Sequence, residues 1–117
     1  MKNQLYLTTD EKLIVVDSSS GFLELIGKPR NSIVGKPLDE WVGKDCLRAL
    51  LKDVLRAYRG DDIKNHLATF MIGGKPFHFS IDIKPGRMDP KGYATKLTLS
   101  FTDRRKAVNC QPLEHLG

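Results

Sequence analysis

The sequence has little cysteine, with only Cys46 and Cys110 among its 117 residues. The two lie far apart and form no C-x-x-C pair, which argues against a disulfide scaffold or a zinc site. Long apolar runs are also missing: the longest aliphatic run covers residues 13–16, and a bilayer-spanning helix needs about 20 apolar residues. The first ten residues contain no apolar stretch of the kind a signal peptide requires. We therefore expect a cytoplasmic protein without membrane contact.

Catalytic signatures are absent as well. There is no phosphate-binding glycine loop, no nucleophile elbow and no H-E-x-x-H motif. The paired acids at residues 10–11 and 61–62 fall in predicted turns, where solvated carboxylates are normal. The excess of 19 basic over 14 acidic residues is scattered along the chain apart from the run at 104–106, so the charge favours solubility. We predict neither an enzyme nor a nucleic-acid-binding protein, and no metal site.

What is present has the size and composition of one soluble domain, with 40% hydrophobic and 28% charged residues. Two short apolar runs, residues 5–7 and 13–16, flank a polar turn and predict a strand hairpin. The serines at 18–20 offer N-caps for a short helix over residues 21–26, which should end at Gly27.

The strongest helical pattern begins near Asp45. Apolar side chains then recur at i, i+3, i+4, i+7, i+8 and i+11, which is one continuous stripe of an amphipathic helix. Charged residues, Asp53 among them, are predicted on the opposite face, and Gly60 lies where a C-terminal cap is expected. The predicted stripe consists of Leu47, Leu50, Leu51, Val54, Leu55 and Tyr58.

Three strands follow the long helix. The first covers residues 63–72 and turns at Gly73-Gly74, a dipeptide suited to a two-residue hairpin. The second and third, near 77–84 and 93–102, alternate apolar and polar side chains, which is typical of an antiparallel sheet with one buried face. The element order predicts an α+β fold, a five-stranded antiparallel sheet with helices packed on one face. We expect the two N-terminal strands in the middle of that sheet.

Four segments, taken in this order and spacing, resemble the PAS family. Residues 13–27 are similar to its second strand and first helix, and residues 32–38, S-I-V-G-K-P-L, to its E-I-V-G-K-P-L stretch. Residues 71–77 resemble the hairpin between its third and fourth strands. Residues 99–106 resemble its last strand and D-I-T-x-x-K exit, although arginines occupy the isoleucine and threonine positions of that exit. The likeness covers about residues 4–106.

The resemblance implies a PAS sensor domain over residues 1–106, with residues 107–117 forming a linker or terminal tail. Such domains are regulatory modules of larger signal-transduction proteins, including two-component sensor kinases, cyclases, chemoreceptors and transcription regulators, and commonly form homodimers. An effector domain would then follow the last strand. We expect Asp103 to serve signal output, because aspartate is a good N-cap for an output helix.

Haem-binding members of the family take an axial histidine from the long helix, where this sequence has none. His66, on the following strand, is the alternative if it points into the interior. The interpretation that we favour is a half-buried histidine without a ligand role, and we expect no haem.

Flavin-binding photosensors of the family place a reactive cysteine shortly after the glycine that matches Gly35, and here Leu38 occupies that position. Cys46 is expected to pack against the core in the first turn of the long helix, with a reactive thiol as the alternative. A coumaryl-thioester chromophore is rejected, because the tyrosine and glutamate that tune it correspond to Ser18 and Phe22. We expect no flavin.

The resemblance also implies a pocket between the long helix and the concave face of the sheet. Ligand pockets are mostly apolar with a few polar groups, and Trp41 and His66 would supply those groups. Two interpretations stand: a small molecule occupies the pocket, or the same side chains close-pack and the domain is a ligand-free interaction or dimerisation module. The predicted lining is Trp41, Leu47, Leu51, Val54, Leu55, His66, Phe79, Ile81, Leu97 and Leu99.

Overall fold

The computed structural model describes residues 4–104, in which helices cover one face of a five-stranded antiparallel sheet. This arrangement confirms the predicted α+β class. The predicted linker, residues 107–117, lies outside the described range. In chain order the elements are β1 (Tyr6–Asp10), β2 (Val15–Ser18), α1 (Ser20–Ile26), a 3-10 turn (Arg30–Ser32), α2 (Leu38–Val42), α3 (Lys44–Tyr58), β3 (Ile63–Ile72), β4 (Lys75–Pro85) and β5 (Lys96–Asp103).

Local sequence signals set the ends of several elements as predicted. The Ser19 hydroxyl caps α1 by accepting a hydrogen bond from the Phe22 amide at 3.2 Å. Gly27 ends the same helix in the left-handed conformation, with φ of 70°. Gly73 and Gly74, with φ of 62° and 80°, form the two-residue turn between β3 and β4.

The strand order is β2-β1-β5-β4-β3, so the expectation that the two N-terminal strands lie in the middle is wrong. β2 is an edge strand and β5 is central. β3, β4 and β5 pair in succession, and β1 adds to the free side of β5. The helical segment therefore crosses the whole sheet, from one edge to the other.

The last strand also begins later than predicted. Tyr93 is 50% exposed and the small Ala94 is buried, so the alternation expected from residue 93 breaks before β5 begins at Lys96. From that point the inward side chains are Leu97, Leu99 and Phe101, as predicted.

α3 packs on the sheet through only part of the predicted apolar stripe. Leu50, Val54 and Ala57 are fully buried, whereas Leu51 is 37% and Leu55 52% exposed. The prediction that Leu51 and Leu55 line the interior is therefore wrong. The stripe spans more of the helix than the sheet covers, and contact centred on Leu50 and Val54 turns these two leucines outwards.

No helix within residues 4–104 is long and apolar enough to cross a membrane.

The orientation of α3 predicts opposite results for one substitution at adjacent positions. Leu50→Asp would place an unpaired carboxylate in the core and should lower the free energy of unfolding by several kcal/mol. Leu51→Asp should change it by less than about 1 kcal/mol. Urea unfolding of both variants measures the difference, and equal destabilisation would show that α3 is oriented as the stripe predicted.

Candidate functional site

The space between the helices and the sheet is occupied by an aromatic cluster that contains all five phenylalanines and the single tryptophan of the chain. Phe22 of α1 is its centre, 4.7 Å from Phe101 and 6.0 Å from Phe79 between ring centroids. Rings at these separations attract beyond their area burial. The aromatic cluster consists of Phe22, Trp41, Phe70, Phe77, Phe79 and Phe101.

Trp41 contributes the cluster's one polar atom. Its ring meets Phe22 edge to face at 6.1 Å, and it lies on α2, between the short and the long helix. The indole Nε1 atom is buried and has no hydrogen-bond partner among residues 4–104. A buried donor without an acceptor costs about 1–3 kcal/mol. The position is therefore suited to an acceptor atom supplied from outside the chain.

The structure brings most of the predicted pocket residues to this interior. Val54, Phe79, Ile81, Leu97 and Leu99 are fully or almost fully buried. Trp41 and Leu47 are half-buried and pack against the same core. Of the ten predicted lining residues, Leu51 and Leu55 are the two that the structure places on the outer side of α3.

Sequence reasoning missed the centre of the site. The pattern predicts Phe22 in a short helix and Phe70 and Phe101 on strands, with no link between them, yet all three are buried in the aromatic cluster. The available signal was composition: a chain with only five phenylalanines buries large aromatic side chains preferentially. The spacing of Phe22, Phe70 and Phe101 in the sequence gave no indication that they meet.

His66 points to the helical side of the sheet because β3 contains a bulge. The register with β4 shifts between Ile63 and His66, and Asn65 takes a positive φ of 53°. Asp82 accepts a hydrogen bond from the Asn65 amide at 2.8 Å, which supports this uncommon conformation. The extra residue reverses the side-chain alternation of β3, so that His66 faces inwards.

His66 and Asp53 join β3 to α3. The His66 Nδ1 atom lies 2.6 Å from the Asp53 Oδ2 atom, and the two side chains are only 15% and 22% exposed. Asp53 also accepts a hydrogen bond from Arg56 at 3.3 Å. The prediction that Asp53 lies on the solvent face of the helix is therefore wrong. With one ring nitrogen held by a carboxylate, His66 acts as a polar link between two elements.

Cys46 and Leu38, the two positions compared above with flavin-binding photosensors, both pack against the protein interior. Cys46 is a free, half-buried thiol that packs against the core from the first turn of α3. Leu38, at the position of the flavin-binding cysteine in the photosensors, is fully buried. Within residues 4–104 no three histidine, cysteine, aspartate or glutamate side chains gather in a way that could hold a metal ion.

Tyr58 fastens the end of α3 to the sheet. Its hydroxyl donates a hydrogen bond to the carbonyl oxygen of Asp10 at the end of β1, and its own carbonyl accepts one from the Ala94 amide at 2.7 Å. Burial raises the pKa of the Tyr58 phenol. The neutral phenol is therefore the form that the folded domain favours.

A second concave surface lies on the outer face of the sheet. It is a groove of about 700 Å³ between β1 and β5. At its margin Arg30 donates a hydrogen bond to Asp17 at 2.8 Å, which lowers the pKa of the Asp17 carboxyl. The groove is lined by Gln4, Leu5, Tyr6, Thr8, Asp17, Thr98, Ser100, Phe101 and Thr102.

No model of a known protein family matches this chain, and no curated protein sequence matches it. Solved structures do match. The PAS-B domain of Cycle from Drosophila melanogaster, described with bound ethylene glycol, has a TM-score of 0.73 at 8% identity, over 85% of this chain and 98% of that one. The dark structure of the blue-light photoreceptor Aureochrome1 LOV has a TM-score of 0.69 at 24% identity, over 97% and 88%.

The PAS domain of nitrogen regulation protein NR(II) from Vibrio parahaemolyticus is also similar, with a TM-score of 0.63 at 16% identity over 86% of this chain and 88% of that one. At identities of 8–24%, these three likenesses establish the fold alone. The chain has the PAS fold, as the sequence resemblance predicted.

The link between His66 and Asp53 predicts a measurable coupling. His66→Gln or Asp53→Asn should each lower the free energy of unfolding by about 1–3 kcal/mol, because a part-buried polar partner loses its hydrogen bond. The double variant should lose less than the sum of the two. Urea unfolding measures all four proteins of the cycle.

Arg56→Gln is the control, since Arg56 also contacts Asp53 but is 57% exposed. It should change stability by less than about 1 kcal/mol. Strict additivity of the His66 and Asp53 variants would contradict the link.

Proposed function

We propose that the chain is the PAS sensor module of a larger signal-transduction protein, and that the aromatic cluster holds a small molecule that carries a hydrogen-bond acceptor. The module is regulatory and has no catalytic role of its own. It acts as a homodimer in the cytoplasm, and its output passes through the segment after Asp103 to an effector such as a kinase, a cyclase or a transcription regulator.

The observation that carries this proposal is the buried Nε1 donor of Trp41. Buried polar atoms in native proteins are nearly always hydrogen-bonded, and an exception indicates a missing partner such as water or a ligand. The indole ring that carries this donor packs against Phe22 and the apolar core. That combination of apolar walls and one orienting polar group is typical of small-molecule sites.

The same cluster offers a route from the ligand to the output. Phe22 contacts Phe101 on the central strand β5, and Phe101 lies two residues before Asp103, the last residue of that strand. A ligand that binds one packing of these rings more tightly than another shifts the population of the two states. The shift would reach the end of β5 through a single side-chain contact.

A ligand-free interaction or dimerisation module is the second candidate function. The observation that favours it is the density of the interior: five phenylalanine rings, Phe22 included, already fill the region between α1 and the sheet. In that case the unpaired Trp41 N–H lowers the stability locally, and the close packing of the rings around it offsets that loss.

A haem or flavin redox sensor is the weakest alternative. For haem, one ring nitrogen of His66, the candidate axial ligand, is already within hydrogen-bond distance of Asp53. For flavin, the buried Leu38 occupies the position of the reactive cysteine. An absorption spectrum with a Soret band or a stoichiometric flavin band would favour this alternative over an uncoloured ligand.

Trp41→Phe tests the ligand site, because it keeps the contact with Phe22 but removes the N–H donor. Native mass spectrometry of the purified protein should show a retained small molecule in the wild type and its loss in the variant. Tyr93→Phe, at an exposed ring, is the control and should retain it. A wild type without any adduct, together with a Trp41→Phe variant that is more stable by about 1 kcal/mol or more, would favour the ligand-free module.

Asp103→Ala tests the output. Asp103 is half-buried at the end of β5, opposite Phe79, and we expect it to cap a following helix. Its removal should cost about 0.5–2 kcal/mol locally and change effector activity in the full-length protein, with retention of the small molecule unchanged. Thr102→Ala, at an exposed neighbour, is the control. Unchanged effector activity would contradict the role, and loss of the retained molecule would assign Asp103 to the ligand site.

A further inference from the structure

The two edge strands of the sheet differ in the hydrogen bonding of their outer backbone groups. The backbone of β2 is covered at its first residue by Gly35 and Lys36: the Val15 amide donates to the Lys36 carbonyl at 3.0 Å, and the Gly35 amide donates to the Val15 carbonyl at 2.7 Å. β3, the opposite edge, has ten residues. Within residues 4–104 no backbone group hydrogen bonds to its outer side. The sheet therefore has one closed edge and one open edge.

The open backbone groups of β3 can be assigned from its register. Ile72 and Lys75 flank the two-residue turn and pair with each other, so they exchange hydrogen bonds, as do alternate pairs along the hairpin. The β3 residues that alternate with these hydrogen-bonded residues direct their N–H and C=O groups away from β4. These residues are Leu67, Thr69 and Met71.

The side chains along this edge suit a second copy of the same strand. Leu67 is 59% and Met71 49% exposed, and Thr69 lies midway between them on the same outer face. If two β3 strands run antiparallel about Thr69, Leu67 lies opposite Met71 of the partner subunit. Residues 65–74 contain no lysine, arginine, aspartate or glutamate. Two copies of a chain with a net charge of +5 can therefore meet at this edge without like charges opposed.

We propose that the homodimer forms through this edge, by antiparallel pairing of β3 with β3 of a second copy about a two-fold axis at Thr69. The three facing pairs each exchange two N–H···O bonds, and the two sheets become one continuous ten-stranded sheet. This inference rests on the dimer of the proposed function, and it specifies the interface.

The covered edge limits the assembly to two copies. Edge-to-edge pairing could propagate into a filament only if β2 were also free to pair, and Gly35 and Lys36 already hold the outer backbone groups of Val15 in this four-residue strand. An interface made of one strand from each copy buries less accessible surface than the roughly 1,200 Å² of a stable protein–protein interface. The dimer should therefore form in a concentration-dependent manner.

Sedimentation velocity of the full chain, over roughly 10 µM to 1 mM, tests the interface together with two variants. Thr69→Pro removes an N–H that faces the open edge, a place where strands tolerate proline, and should weaken dimerisation at least tenfold. Thr98→Lys places a charge on the outer face of β5, away from the edge, and should leave dimerisation unchanged. Thermal unfolding establishes that both variants are folded.

Disulfide trapping provides a readout that does not depend on Thr69→Pro. In a background with Cys46 and Cys110 replaced by serine, Thr69→Cys should form a covalent dimer on mild oxidation. The two Cα atoms at position 69 would lie about 5.5 Å apart, within disulfide reach. Thr98→Cys is the control, because its two copies would lie at least five strand spacings, ~24 Å, apart.

Three results would overturn the proposal in different ways. A monomer at every concentration would remove both the dimer and its interface. A dimer weakened by Thr98→Lys but not by Thr69→Pro would keep the dimer and move its interface to the outer face of the sheet. Crosslinking at position 98 in preference to 69 would do the same.

Discussion

The contact between Phe22 and Phe101 joins the helical layer to the centre of the sheet. Phe22 comes from α1, and Phe101 from β5, the central strand with neighbours on both sides. Around this pair the other rings pack with centroid separations of 4.9–6.3 Å, which are typical of aromatic pairs in proteins. Trp41 adds the short helix before α3. The positions of α1, α2 and three strands therefore depend on one aromatic pair and its immediate neighbours.

This arrangement supports the switching role of the proposed function. Close-packed interiors tend to have discrete alternative packings rather than continuous deformation, so a change of one ring is transmitted to its neighbours. The Phe101 amide donates a hydrogen bond to the Leu5 carbonyl at 2.8 Å, which links the cluster to the start of β1 as well as to the end of β5. Both ends of the described chain are thus within one contact of the candidate ligand site.

Features governed by neighbouring residues could be predicted from the sequence, and features governed by distant pairs could not. The Ser19 and Gly27 caps, the turn at Gly73 and Gly74 and the alternation along β4 follow from local conformational preferences. The orientation of α3 does not, because a six-residue apolar stripe is compatible with several rotations of the helix. The choice involves the pairing of Asp53 with His66, and His66 faces inwards only because of the bulge at Asn65. A pattern search assigns strict alternation to β3 and so cannot place that bulge.

The bulge also shapes the open edge of the sheet. By inserting one residue before His66 it directs Phe70 and Ile72 into the core and leaves Leu67 and Met71 on the outer face. Without the extra residue the alternation that begins at the buried Ile63 would turn Leu67 and Met71 inwards and Phe70 outwards. One backbone irregularity therefore supports two separate features: the polar link from β3 to α3, and the apolar side chains beside the unpaired edge. A substitution that straightens β3 would affect the interior packing and the edge together. A change at Thr69, whose hydroxyl lies 2.9 Å from His78 Nδ1 on the exposed face, would leave the interior packing in place.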